Sequence, residues 1–180
     1  PKVEENVGNV LSPYAATKKV DEIYANVFTR CYQMEFVGLR YFNVFGPRQN
    51  PNGAYAAVIP KFISLMKAGT PPVINGDGTF SRDFTYIDNV IQANVNGCLV
   101  AKEGFGEPIN VGCGGRISIN DLVQTIQSVL CSDLQPRYEE TRVGDVRDSM
   151  AQIDRLKDYL KCDSLVSLSE GLEKTIPWYQ

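Results

Sequence analysis

The stretch FVGLRYFNVFG, residues 36–46, is almost unbroken in apolar and β-forming side chains and stops at Gly46 and Pro47. It predicts a strand buried on both faces of a parallel sheet, because a strand with one wet face would alternate. Such a strand must be covered by helices, which sets the fold class as α/β.

The flanking sequence supplies the helices. In LSPYAATKKVDEIY (11–24) Ser12 is a good N-cap and Pro13 suits the first helical position, and apolar residues recur at Val20, Ile23, Tyr24, Val27 and Phe28. A helix of about twenty residues is expected, ending before Glu35 and Phe36. After the strand, PRQNPNGAYA (47–56) reads as a polar loop leading into a helix through Val58, Phe62, Ile63 and Met66 that ends at Gly69. A long loop after a buried strand is where open α/β sheets place ligands.

Alternation continues to the end of the chain. PPVING (71–76) and DFTYI (83–87) read as strands, and Asp88 or Asn89 is expected to cap a helix running to Lys102. PINVGCGG (108–115) reads as a strand entering a glycine turn, and Ser118 with Asp121 forms a variant capping box at the start of SINDLVQTIQSVLC. GCGGRIS is not Gly-x-Gly-x-x-Gly and lacks a downstream acid placed for a ribose, so a tight turn is favoured over a dinucleotide cradle. A strand at RYEE (137–140), a polar loop TRVGDVRDS (141–149) and two short helices, 153–160 and 167–176, complete the reading. No repeat, low-complexity tract or linker divides the chain.

Composition narrows the function. The 180 residues are 43% hydrophobic and 22% charged, as in an ordinary globular domain. A net charge of −3 without any Lys/Arg run argues against a nucleic-acid surface and for a small-molecule partner. No apolar run is long enough to span a membrane. The five cysteines are odd in number and widely spaced, which suggests reduced thiols and a cytoplasmic setting. Histidine is absent, so acid/base chemistry falls to tyrosine, carboxylate, lysine or cysteine.

That absence draws attention to Tyr14 and Lys18. Four residues apart on a helix, they emerge on one face, and an ammonium beside a phenol favours the phenolate. The same spacing also suits a half-buried ring beside a solvated charge, and the pair alone does not separate these readings.

The ordered set SPYAATK, RYFNVFGP, GAYAAVIPKF, NGDGTFSRDFTYIDNV, PINVG and RVGDVR is more specific. With it, the chain resembles the extended short-chain dehydrogenase/reductase family, and within that family the UDP-N-acetylglucosamine 4-epimerases. The resemblance implies the C-terminal part of a Rossmann-like doubly wound sheet plus the smaller sugar-nucleotide-binding α/β domain. Residues 1–46 would end the dinucleotide-binding domain, and 47–180 would form mainly the substrate domain, with some segments returning to the Rossmann sheet. The family's NAD-binding glycine motif and its catalytic Ser/Thr have no counterpart here, so the chain is expected to be the C-terminal half of a longer enzyme, inactive alone and weak or incompetent in NAD binding.

The resemblance also implies roles. Tyr14 would be the catalytic base, and Lys18 would tune it and hold the nicotinamide ribose. Tyr41, Phe42 and Val44 would lie beside the NAD cofactor. Asn43, Arg82 and Arg142 would hold the diphosphate of a UDP-sugar, Asp145 its ribose, and Ala57, Val58 and Ile59 its uracil; no metal is implied. Ser149 would leave room for a 2-acetamido group, which points to UDP-GlcNAc/UDP-GalNAc interconversion through a 4-keto sugar. The full-length enzyme would be a homodimer. A sugar-nucleotide 4,6-dehydratase, a UDP-glucuronate decarboxylase and a non-catalytic sugar-nucleotide binder stay open as alternatives.

Overall fold

The computed structural model of the chain describes residues 1–6, 8–10, 12–52, 57–99, 106–141 and 146–179. Helix α1, Pro13–Tyr32, begins as expected: the Ser12 hydroxyl accepts the Ala15 N–H at 3.1 Å, and the helix ends at Gln33, whose φ of 54° is left-handed.

The run 36–46 is not one strand, and this corrects the expectation. It forms β1, Gly38–Tyr41, and β2, Val44–Phe45, separated at Asn43, whose φ is 20°. The cause is a change of partner. β1 pairs parallel with β6, Pro108–Val111, and β2 pairs parallel with β5, Thr85–Tyr86. At the junction Phe42 N–H donates to Val111 O, and Thr85 N–H donates to Asn43 O. The burial expectation is also corrected: Phe45 is buried, whereas β1 is only partly covered and Tyr41 is exposed.

Two further pairs complete the strands described: β3, Val73–Asn75, lies parallel to β8, Arg137–Glu139, and β4, Ser81–Arg82, lies antiparallel to β7, Ile117–Ser118. The strand expected over 83–87 shrinks to Thr85–Tyr86, because Asp83 turns inward and Ile87 already opens helix α3, Ile87–Leu99. Neither Asp88 nor Asn89 stands before that helix as its cap. Asn89 is buried and brackets Val166 instead, donating to its carbonyl at 2.9 Å and accepting its N–H at 2.8 Å. The expected end of α3 at Lys102 lies outside the described residues.

Helices α2, Val58–Lys67, and α4, Ile119–Leu130, together with α6, Leu168–Thr175, cover β2, β3 and β5. Their core includes Phe45, Ile59, Phe62, Ile63, Leu122 and Leu172, each no more than 2% exposed. Burying one such side chain is worth about 1.5–3 kcal/mol before the entropy of ordering it. Helix α5, Asp154–Leu160, packs with α3 on β6 around Val90, Ile109, Val111, Leu156 and Leu160. Among the described residues no helix is long and apolar enough to cross a membrane.

Candidate functional site

The site is built where β2, β4 and the start of α2 meet. Along GTFSRDFTY the side chains of Phe80, Arg82 and Phe84 alternate onto one side, and all three line a cavity of about 310 Å³. Asn43 and Val44 form another wall of that cavity, and Ala57, Val58 and Ile59 a third. Ala57 is the N-cap of α2 and gives no side-chain hydrogen bond, so the first-turn N–H groups have no cap from it and the positive end of the helix lies at the cavity.

The polar groups at the cavity are held from behind. The Asn43 amide donates to Asp83 O at 3.1 Å. The Arg82 guanidinium donates through Nη1 to Ser81 O at 2.8 Å and to Arg147 O at 3.4 Å. Beside it, Asp148 is held below the usual carboxylate range, first by the Ser81 hydroxyl that donates to it at 2.6 Å and then by Arg116, Arg147 and Arg82. The arrangement offers apolar and aromatic walls, an amide and a guanidinium. A planar base with an attached anionic group fits that chemistry, since a guanidinium fork meets phosphate oxygens in pairs.

Of the residues singled out from sequence, Asn43, Val44, Ala57, Val58, Ile59 and Arg82 come together here. Tyr14 and Lys18 do not line this cavity. They share the open face of α1, with the Lys18 ammonium 5.9 Å from the centroid of the Tyr14 ring and Tyr14 73% exposed. Lys18 is held instead by Asp21 at 2.9 Å, and that hydrogen bond, with the attraction behind it, raises the lysine pKa. Tyr41 donates its hydroxyl to Asn94 Oδ1 at 3.0 Å, and Phe42 is half-buried at the strand junction. Ser149 is half-buried and lies beside β4, donating its N–H to Ser81 O at 3.1 Å. Arg142 and Asp145 lie outside the described residues.

Phe80 and Phe84 were missed in the sequence, although their period of two around Arg82 was a legible signal. Over Gly112–Gly115 the chain bends at Gly112 and Gly114, Gly114 has φ 69°, and the N–H groups of Cys113 and Gly114 are already taken by the Asp83 carboxylate at 2.9 and 3.0 Å. A pyrophosphate would find those donors occupied. Burial, with the Asp83 charge nearby, pushes the Cys113 thiol up to about 11, so it is not a nucleophile at neutral pH.

Residues 2–112 match the NAD dependent epimerase/dehydratase family. The whole chain is 33% identical over 180 residues to a UDP-glucose 4-epimerase from Mycolicibacterium smegmatis, covering 56% of that protein. A solved UDP-N-acetylglucosamine 4-epimerase from Methanobrevibacter ruminantium, in complex with UDP-N-acetylmuramic acid, superposes with a TM-score of 0.92 at 41% identity, covering 99% of this chain and 57% of that one. A UDP-glucose 4-epimerase from Thermotoga maritima, solved with UDP-glucose, also gives a TM-score of 0.92, at 35% identity, with 99% of this chain and 57% of that one covered. The chain thus spans about half the length of the relatives it matches.

Proposed function

This chain belongs to the NAD dependent epimerase/dehydratase family, and on that premise we propose that the protein carrying it interconverts UDP-sugars epimeric at C4, with UDP-GlcNAc and UDP-GalNAc as the pair. The observation that carries the reading is the cavity that joins Asn43, Ala57–Ile59 and Arg82. Its apolar wall and the start of α2 receive the uracil, while Arg82 and the Asn43 amide meet the diphosphate. Arg142 and Asp145 add a second phosphate contact and a ribose contact in this reading.

The chain's own donors toward NAD are the phenol and the ammonium on one open face of α1, a set that suits a ribose and a nicotinamide edge. When bound, NAD supplies the hydride acceptor and donor for the sugar C4. Tyr14 takes the proton of the C4 hydroxyl and later returns it to the 4-keto sugar. Lys18, one turn along the same face and bonded to Asp21, would hold the ribose of the bound cofactor. Tyr41, Phe42 and Val44 would flank the nicotinamide of the bound cofactor. Ser149, small where a bulky residue would close the pocket, admits the acetamido group. A UDP-sugar is the partner, and the full-length enzyme works as a homodimer.

The test is a proton NMR assay of the anomeric signals of UDP-GlcNAc incubated with the protein from the complete reading frame and, separately, with the 180-residue chain. Conversion to UDP-GalNAc is expected only with the former, and Ser149→Tyr should lower it selectively against UDP-glucose turnover. Equal loss on both sugars removes the role given to Ser149. No conversion of either sugar by the full-length protein overturns the epimerase reading and favours dehydration or decarboxylation.

A further inference from the structure

Asp83 is fully buried, yet no reading of the sequence gave it a role. Its carboxylate gathers three backbone donors: Cys113 N–H at 2.9 Å on Oδ1, and Gly114 and Ala151 N–H, each at 3.0 Å, on Oδ2. Its own carbonyl receives the Asn43 amide at 3.1 Å. One residue therefore ties the β1–β2 junction, the turn after β6 and the segment around Ala151 to β4.

The neighbouring strand residues show what is being tied. Phe80, Arg82 and Phe84 face the cavity, whereas Ser81 and Asp83 are both buried and hold the segment 147–151. Ser81 N–H donates to Arg147 O at 2.9 Å, Ser149 N–H donates to Ser81 O at 3.1 Å, and the Ser81 hydroxyl donates to Asp148. Asp83 fixes the far end of the segment through Ala151. The approach is close enough to require glycine at 112, where a Cβ would stand 2.8 Å from Asp83 Oδ2 and 2.7 Å from Ala151 Cβ.

We propose that Asp83 is a positioning residue for the sugar-nucleotide pocket. It sets Asn43, Arg82 and the Ser149 segment in one fixed arrangement, so that the groups meeting the diphosphate and the sugar are presented together. This rests on the function proposed above. A carboxylate does what no apolar side chain of that size could, because its two oxygens accept from three converging N–H groups. The contribution is to ground-state binding of the nucleotide, so it belongs in KM and in UDP affinity rather than in kcat.

The experiment compares the wild-type full-length protein with Asp83→Asn. An amide keeps the shape but turns an NH2 toward backbone donors. Titration calorimetry with UDP, well below the unfolding transition, should show about a tenfold weaker Kd, with KM for the UDP-sugar rising in parallel and kcat at saturation changed by less than about twofold. A lower Tm with unchanged Kd and KM reduces Asp83 to a structural residue and overturns the proposal, as does a loss confined to kcat. If Asp83→Asn does not fold, Ser81→Ala decides, since it loosens the same segment by one hydrogen bond: a weaker UDP Kd supports the proposal and an unchanged one overturns it. Wild-type protein that binds no UDP overturns the function proposed above and this inference with it; wild-type binding with an unaffected Asp83→Asn overturns this inference alone.

Discussion

At Gly171, on the inner face of α6, a Cβ would lie 2.7 Å from Phe45 Cζ and 2.9 Å from the Tyr86 ring. The ring pair, with centroids 5.6 Å apart, stands under β2 and β5 and supports the wall that carries Val44. Gly171→Ala is therefore expected to destabilise the fold by about 1–3 kcal/mol as an overpacked core position, although alanine is the better helix former. Thermal unfolding checks this, and a Tm equal to or above wild type would show that the rings yield freely. Residue types with a local mechanism were legible in advance: Ser12 caps α1, and Ser118 with Asp121 closes a complete capping box on α4. Gly171 and Asp83 were not legible, because each answers to neighbours dozens of residues away in the chain.

Helix α1 shows the same division at the next scale. Its start, length and end follow from Ser12, Pro13 and the apolar spacing. Its seat does not, because no residue of it is buried and an ion pair holds it against β1. Arg40 donates to both oxygens of Glu22 at 2.6 and 2.9 Å and to Glu4 O at 2.9 Å. That hydrogen bonding holds the Glu22 carboxyl below its usual range against the opposing effect of burial. A lowered folded pKa means stability that is present above the unfolded pKa and lost as pH falls through the folded one. The Tm difference between wild type and Glu22→Gln should therefore be present at neutral pH and shrink in acid, and a difference independent of pH would sink the ion-pair account. The run 36–46 carried the opposite lesson: its β character was legible, but the break at Asn43 comes from two different partner strands and leaves no mark in the run itself.

In the whole molecule, two cores lie side by side, one under α2, α4 and α6 and one between α3, α5 and β6. Outside both, α1 presents Val20, Ile23, Tyr24 and Val27, each at least 45% exposed, on a single face. An exposed apolar face favours association, so the isolated chain should self-associate as concentration rises, and sedimentation velocity should show it. A monomer at every concentration would show that the face tolerates water. The sequence by itself determined the α/β class and the starts of α1 and α4 at Ser12 and Ser118, because these rest on periodicities and short-range hydrogen bonds between residues close in the chain, and its ordered motifs carried the family resemblance. Only the tertiary structure decided that 36–46 changes partners at Asn43, that Phe80 and Phe84 join Arg82 around the cavity, and that a buried carboxylate at Asp83 binds three segments together. Those outcomes depend on which backbone donors and which rings meet across long separations, and no spacing within one segment encodes that.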